Sequence, residues 1–221
     1  MFRIFIRNIF IIMRILITAG PTREKIDPVR FISNRSTGKM GYAIAARAAE
    51  AGHDVTLISG PVALECPPDV KRIFIESASE MAQAVHENAP SADVIIMSAA
   101  VADYRPANPL ENKMKKQPGN LFLELERTED ILGSVGKNKL PHQLLVGFAA
   151  ETENLESNAL DKLRRKNLDW IIANLVSDGF GNDTNRVIIF NRNGEKFPLA
   201  LEEKSTLSQK IVELILKDKS D

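Results

Sequence analysis

RILITAGPTREKIDPVRFISNRSTGKMG, residues 14–41, decides how the rest of the chain is read. Its first six residues, Arg14–Ala19, are a short apolar run that stops at Gly20. From Met40 to Ala51 an alanine-rich stretch has helical spacing, closed by Gly52. Strand, glycine-bearing loop and helix in that order open a βαβ unit. Gly38 and Gly41 flank the helix start, where free backbone N–H groups and the helix dipole favour a phosphate. A β-carbon there would hold an anion off the backbone. Ser36 and Thr37 add hydroxyl donors and a potential cap. Close packing of helix on strand would require the same glycines, so the pattern alone is weak.

The rhythm set by this stretch continues. His53–Ser59 and Lys71–Ile75 read as strands, Ser79–Asn88 as a helix, and Asp93–Ser98 as an uninterrupted apolar run typical of a strand buried on both faces. Gln143–Phe148 and Trp170–Ala173 look the same, with a helix over Leu155–Asn167 between them. The fold expected is an α/β, Rossmann-like doubly wound sheet, mainly parallel, with helices on both faces and ligands at the carboxyl ends of the strands. Two stretches break the pattern. Val101–Asn120, rich in Pro, Asn and Lys, is too long for a simple connection and reads as a flap. Arg186–Leu201 reads as an antiparallel hairpin around Arg192, Asn193 and Gly194. A helix over Ser205–Lys217 ends the chain.

The spacing argues against a dinucleotide site. Gly20 and Gly38 are separated by a long polar insertion, and the second strand ends in Ser59, Gly60 and Pro61 instead of the acidic residue that would hold an adenosine ribose. A P-loop is excluded because Met40 stands where Ser or Thr would follow the lysine. The site is built for a mononucleotide with phosphates. Arg23, Arg30 and Asn34 in the insertion can grip a phosphate, carboxylate or amide, although a solvated loop charge is the default for each.

Twenty-nine basic and twenty-nine acidic side chains cancel, without the basic excess of a protein that grips nucleic acid. The single cysteine, Cys66, permits no internal disulfide and no thiolate cluster, and fits a reducing, cytoplasmic setting. Residues 1–12 are apolar but interrupted by Arg3, Arg7 and Asn8, and too short to span a bilayer. They read as an extension before Met13, an alternative start, with a membrane-surface anchor as the lesser reading.

The motifs TAGPTREKIDPVRFISNRSTGKMG, SAAVADYRP, KMKKQ, VGFAAET and IIAN follow one another in order from Arg14 to the C-terminal helix. Together they resemble phosphopantothenate–cysteine ligase (phosphopantothenoylcysteine synthetase) of the bacterial, CTP-dependent kind. The resemblance implies activation of 4′-phosphopantothenate by CTP with Mg2+, then coupling to L-cysteine in a step of coenzyme A synthesis. It implies that Gly20, Ser36, Gly38 and Gly41 hold the triphosphate, with Lys162 and Lys166 directed at it from one helix face. Phe148 would lie against the base and Asn174 near the sugar or base. Ser98, Ala99, Ala100 and Asp103 would meet substrate, with Asp103 also touching the nucleotide. Asn34 would position the carboxylate and the acyl intermediate. Arg30 would reach a substrate phosphate across a homodimer interface, and Lys113 would act on the intermediate from the flap. The dimer is expected through the C-terminal hairpin and neighbouring segments. In many bacteria such a ligase is fused behind a flavin-dependent decarboxylase; here either that enzyme is a separate protein and pathway neighbour of a stand-alone ligase, or the chain is one half of a bifunctional protein. Neither a nucleic-acid nor a membrane partner is expected. The competing enzyme class, a short-chain NAD(P) reductase, lacks its Tyr-x-x-x-Lys pair, since Ala46 and Asn108 stand four residues after Tyr42 and Tyr104. A nucleotide-sensing module would need no lysine flap.

Overall fold

The computed structural model describes residues 11–116, 118–179 and 181–220. The expected N-terminal extension lies outside them apart from Ile11 and Ile12, which are exposed.

An eight-stranded sheet forms the centre. Its parallel part comprises β1 (Arg14–Ala19), β4 (Asp54–Ser59), β5 (Val70–Phe74), β6 (Val94–Met97), β9 (Leu144–Glu151) and β10 (Trp170–Leu175). The hairpin β11 (Thr184–Asn191) and β12 (Lys196–Glu203) extends it antiparallel, giving the order β12-β11-β10-β9-β6-β1-β4-β5. Pro198 is tolerated because β12 is the edge strand. This is the doubly wound arrangement with a C-terminal hairpin that the sequence predicts. Strand alternation divides the core in two. Ile15 and Ile17 join the face covered by α1 (Lys39–Glu50) and α6 (Lys204–Ser220), while Leu16 joins the face covered by α2 (Ala78–Asn88), α3 (Ile131–Asn138) and α4 (Leu155–Arg165).

Four short strands, α3, the one-turn helix α5 (Val176–Gly179) and a 3-10 turn over Ala89–Ser91 go beyond the predicted elements. The polar insertion after β1 is a hairpin, β2 (Arg23–Lys25) with β3 (Phe31–Ser33), and the expected flap contains β7 (Tyr104–Pro106), paired with β8 (Leu125–Arg127). Period-two patterning is not readable over three residues, and α3 contains Gly133 and Gly136, poor helix formers. Asp130 caps α3 by accepting from the Gly133 N–H at 3.0 Å. Glu24 on β2 is buried and accepts from the Ala78 N–H at 2.8 Å, fixing the insertion to the first turn of α2.

What the topology does for function lies at β1 and β6. These neighbours are the switch point: the chain continues towards β4 on one side and β9 on the other. The loops that leave their carboxyl ends diverge and open a crevice.

Candidate active site

Two cavities, of about 690 and 310 Å³, open at that crevice and share Ala99, Val101, Asp103, Phe148 and Lys162 as a common wall. The smaller is bounded on one side by Ser36–Gly41, at the start of α1. Gly38 is the N-cap residue, in the left-handed region at φ 75°, and α1 has no side-chain cap. Its first-turn N–H groups therefore face the cavity without an internal competitor, the arrangement an anion needs. Gly38 cannot carry a side chain easily, since a Cβ would lie 3.1 Å from Val62 Cγ1 and 3.3 Å from Gly20 Cα. Gly41 has a packing role: its Cβ position is 2.5 Å from Ser98 Oγ and 2.6 Å from Ala19 Cβ, so the glycine lets α1 lie against the end of β1. Gly20, at φ 79°, lies beneath Gly38 and is absent from the lining of either cavity.

The opposite wall is the loop after β6. Ser98 Oγ donates to the Thr18 carbonyl at 2.6 Å, the Ala99 N–H to Thr18 Oγ1 at 3.2 Å, and the Ala100 N–H to the Gly20 carbonyl at 2.9 Å. These bonds lock the loop to β1, with small side chains that leave room for a ligand against the backbone. Asn34, just past β3, donates from Nδ2 to the Ala100 carbonyl at 2.9 Å. The insertion thus folds back onto the same loop.

Lys162 crosses from α4 to donate to the Phe148 carbonyl at 2.7 Å. Burial pushes its pKa below the usual lysine range, partly offset by the Glu151 and Asp103 carboxylates. Lys166, one turn on, does not join it: it forms an ion pair with Asp130, the cap of α3, and lines only the larger cavity. Asn174, at the end of β10, lines the smaller one.

Arg30 and Lys113 line neither cavity. Arg30 pairs with Asp27 of the same chain and donates from Nη2 to the Met114 carbonyl at 3.0 Å. Asp27, 2% exposed, accepts from the N–H groups of Val29 (2.8 Å), Arg30 (2.9 Å) and Met114 (3.0 Å). Hydrogen bonding from Arg30 holds its carboxyl far below the ordinary carboxylate range. Both backbone groups of Met114, between Lys113 and Lys115, are therefore clamped by the insertion. Arg30 is close to the flap, in a contact that needs no second subunit.

Three participants were not read from the sequence. Asp27, in the insertion, is the first. Lys39, inside the glycine motif, lines the smaller cavity and ion-pairs with Asp183, and Lys204, buried at the start of α6, donates to the Gly179 carbonyl at 2.8 Å. The position of Lys39 directly after Gly38 was the available clue; Lys204 offered none.

The doubly wound sheet brings an uncapped helix start and the buried Lys162 to one crevice at a topological switch point, a setting that suits an anionic ligand. Residues 11–218 match the family described as DNA/pantothenate metabolism flavoprotein C-terminal domain, and the chain belongs to that family. It is 49% identical over 205 residues to the coenzyme A biosynthesis bifunctional protein CoaBC of Bacillus subtilis (strain 168), covering 91% of this chain and 50% of that protein. The chain spans about half the length of the curated relatives it matches. Among solved structures, the C-terminal domain of a CoaBC protein superposes with a TM-score of 0.81 at 46% identity, covering 95% of this chain and 97% of that one. The DNA/pantothenate metabolism flavoprotein from Streptococcus pneumoniae superposes at 0.80 with 28% identity, covering 93% and 99%.

Proposed function

We propose that this chain is the phosphopantothenate–cysteine ligase of coenzyme A synthesis, using CTP. A carboxylate oxygen of 4′-phosphopantothenate bonds to the α-phosphorus of CTP and pyrophosphate leaves. The amine of L-cysteine then bonds to the acyl carbon and loses a proton, and CMP leaves with the carboxylate oxygen. Both nucleophiles come from substrates, so the protein must position them and stabilise developing charge. One observation carries the reading: an uncapped, glycine-started helix and the locked Ser98–Ala100 loop face each other across one cavity, with Asn34 bonded to that loop. In this reading the α1 N-terminus, Ser36 and Lys162 hold the phosphates, Asn34 and the 98–100 loop hold the acyl group, and Asp103 meets both. Phe148 and Asn174 hold the nucleoside, and Lys113 closes over the intermediate.

Magnesium enters as part of the nucleotide substrate, bridging its phosphates. Among the described residues no group of three or more His, Cys, Asp or Glu could hold a resident metal, and Asp103 is the carboxylate that lines the smaller cavity. We place the enzyme in the cytoplasm as a homodimer, with a phosphopantothenoylcysteine decarboxylase acting next. Support for the dimer comes from exposed Val29, Phe31, Tyr104 and Leu125 on and beside the two small sheets, which pack together. No helix among the described residues is long and apolar enough to cross a membrane.

The test mixes the protein with 4′-phosphopantothenate, CTP and magnesium, with and without cysteine. Pyrophosphate release that requires phosphopantothenate, with ligated product only when cysteine is present, is expected. Tight NADPH binding without CTP turnover would overturn the reading.

A further inference from the structure

Asn174 closes β10 and Asn185 lies in β11, and both line the smaller cavity although they are only 7% and 4% exposed. Each is tethered to backbone at one end of its carboxamide. Asn174 Nδ2 donates to the Leu175 carbonyl at 2.8 Å, and Asn185 Oδ1 accepts from the Arg186 N–H at 2.9 Å. A carbonyl can only accept and a backbone N–H can only donate, so these partners fix which end of each amide is nitrogen. Asn174 Oδ1, an acceptor, and Asn185 Nδ2, a donor, remain. Among the described residues neither has a protein partner, and no buried polar side-chain atom is left sealed without one. Both atoms therefore reach open space. A Cβ on Gly179 would lie 2.7 Å from Asn174 Nδ2 and from Asn185 Oδ1, so the tethered ends face the short helix α5 (Val176–Gly179) and the free ends face away from it.

We infer that Asn185 contacts the nucleotide, its N–H acting with Asn174 Oδ1 as a donor–acceptor pair for the nucleoside part of CTP. The inference rests on the ligase reading above. A donor and an acceptor on two residues that line one cavity match two edges of cytidine: the ribose hydroxyls, and the N3 and amino edge of cytosine. A triphosphate offers acceptors only and would leave Asn174 Oδ1 buried and unpaired, which is costly. The uracil edge presents the reverse order. A site that hydrogen-bonds its ligand in this way rejects analogues lacking the group, because its own polar atoms are then left unpaired.

Asn185→Asp is nearly isosteric, keeps the acceptor for the Arg186 N–H and removes the amide donor. A purely structural Asn185 would tolerate it. CTP should bind about tenfold more weakly, the expected effect of one lost hydrogen bond. The KM for phosphopantothenate and the Tm should stay unchanged. Asn185→Ser, which adds no charge, should show the same CTP loss while inhibition by inorganic tripolyphosphate stays at the wild-type level. For a sugar contact, 2′-deoxy-CTP or 3′-deoxy-CTP binds wild type and the Ser variant alike; for a base contact, UTP does. Wild-type CTP affinity in the Asp variant overturns the proposal, as does an equal loss for tripolyphosphate, or a tenfold loss that persists with all three analogues. If the wild-type protein releases no pyrophosphate from CTP, the ligase reading fails and takes this inference with it. Normal wild-type turnover with an unaffected Asp variant sinks only the role of Asn185.

Discussion

Replacing Gly38 by alanine tests the phosphate cradle without touching any charged group. At φ 75° an L-residue pays about 1–2 kcal/mol for the left-handed conformation. The new methyl also meets Val62 Cγ1 at 3.1 Å and Gly20 Cα and N at 3.3 Å. Val62 is a flexible side chain and can give. Gly20 cannot, because its carbonyl is bound by the Ala100 N–H and its own φ is 79°. The relief available is a shift of the first turn of α1 away from the β1 terminus, at a further cost of about 1 kcal/mol for a crowded contact. The sum, about 2–3 kcal/mol, corresponds in a chain of this length to a fall in Tm of roughly 4–12 °C. The displaced turn carries the N–H groups aimed at phosphate, so the KM for CTP should rise about tenfold or more while that for cysteine changes little. Calorimetry and initial-rate kinetics on the same preparation read both effects. Gly38→Ala combined with Val62→Ala should recover part of the loss, since it removes one contact and leaves the φ penalty. A Gly38→Ala protein with wild-type Tm and wild-type KM for CTP would refute the reasoning.

Asp27→Asn should free the flap. Trypsin cleavage after Lys113, Lys115 and Lys116 should accelerate at least severalfold, and cleavage at the wild-type rate would mean the Met114 clamp does not hold that segment. Because Arg30 keeps the Asp27 carboxyl below its ordinary pKa of 3.8, its contribution is complete above about pH 4 and is lost only as pH falls towards the depressed folded value. Wild-type trypsin resistance should therefore be flat from about pH 8 down to about pH 5. Lys162→Met should abolish turnover with CTP. The folded-state pKa of Lys162 lies below 10.5, so between the two values the unfolded chain binds more protons and stability rises with pH. Urea denaturation at about pH 8 and about pH 10 should show wild type gaining on the Met variant at the higher pH; a gap that moves the other way would contradict the burial of that lysine.

The centre of the sheet was legible because strands such as β1, β6 and β10 are buried on both faces and read as unbroken apolar runs, and because helices such as α1 carry their own spacing and stop residue. The cradle was legible in part. The Gly38 motif marked a helix start that faces a cavity, but Gly41 serves helix–strand packing, a role a sequence cannot distinguish from ligand approach. Lys162 and Lys166 share a spacing, yet only one lines both cavities, because Asp130 of a helix not predicted from the sequence takes the other. Asp27, Asn185 and Lys204 act through tertiary pairings with backbone groups far along the chain or around a short turn, and no local pattern reports them. The hydrophobic residues on β3 and β7 sat in segments read as polar loop, since three-residue strands carry too few positions for alternation to show.

The central claim is that the substrate carboxylate attacks the α-phosphorus of CTP. It is tested by following 18O from labelled carboxylate through a complete reaction with cysteine. One labelled oxygen should appear in CMP, with none in pyrophosphate. Label in inorganic phosphate with CDP as the other product would mean attack at the γ-phosphorus, and would contradict the account.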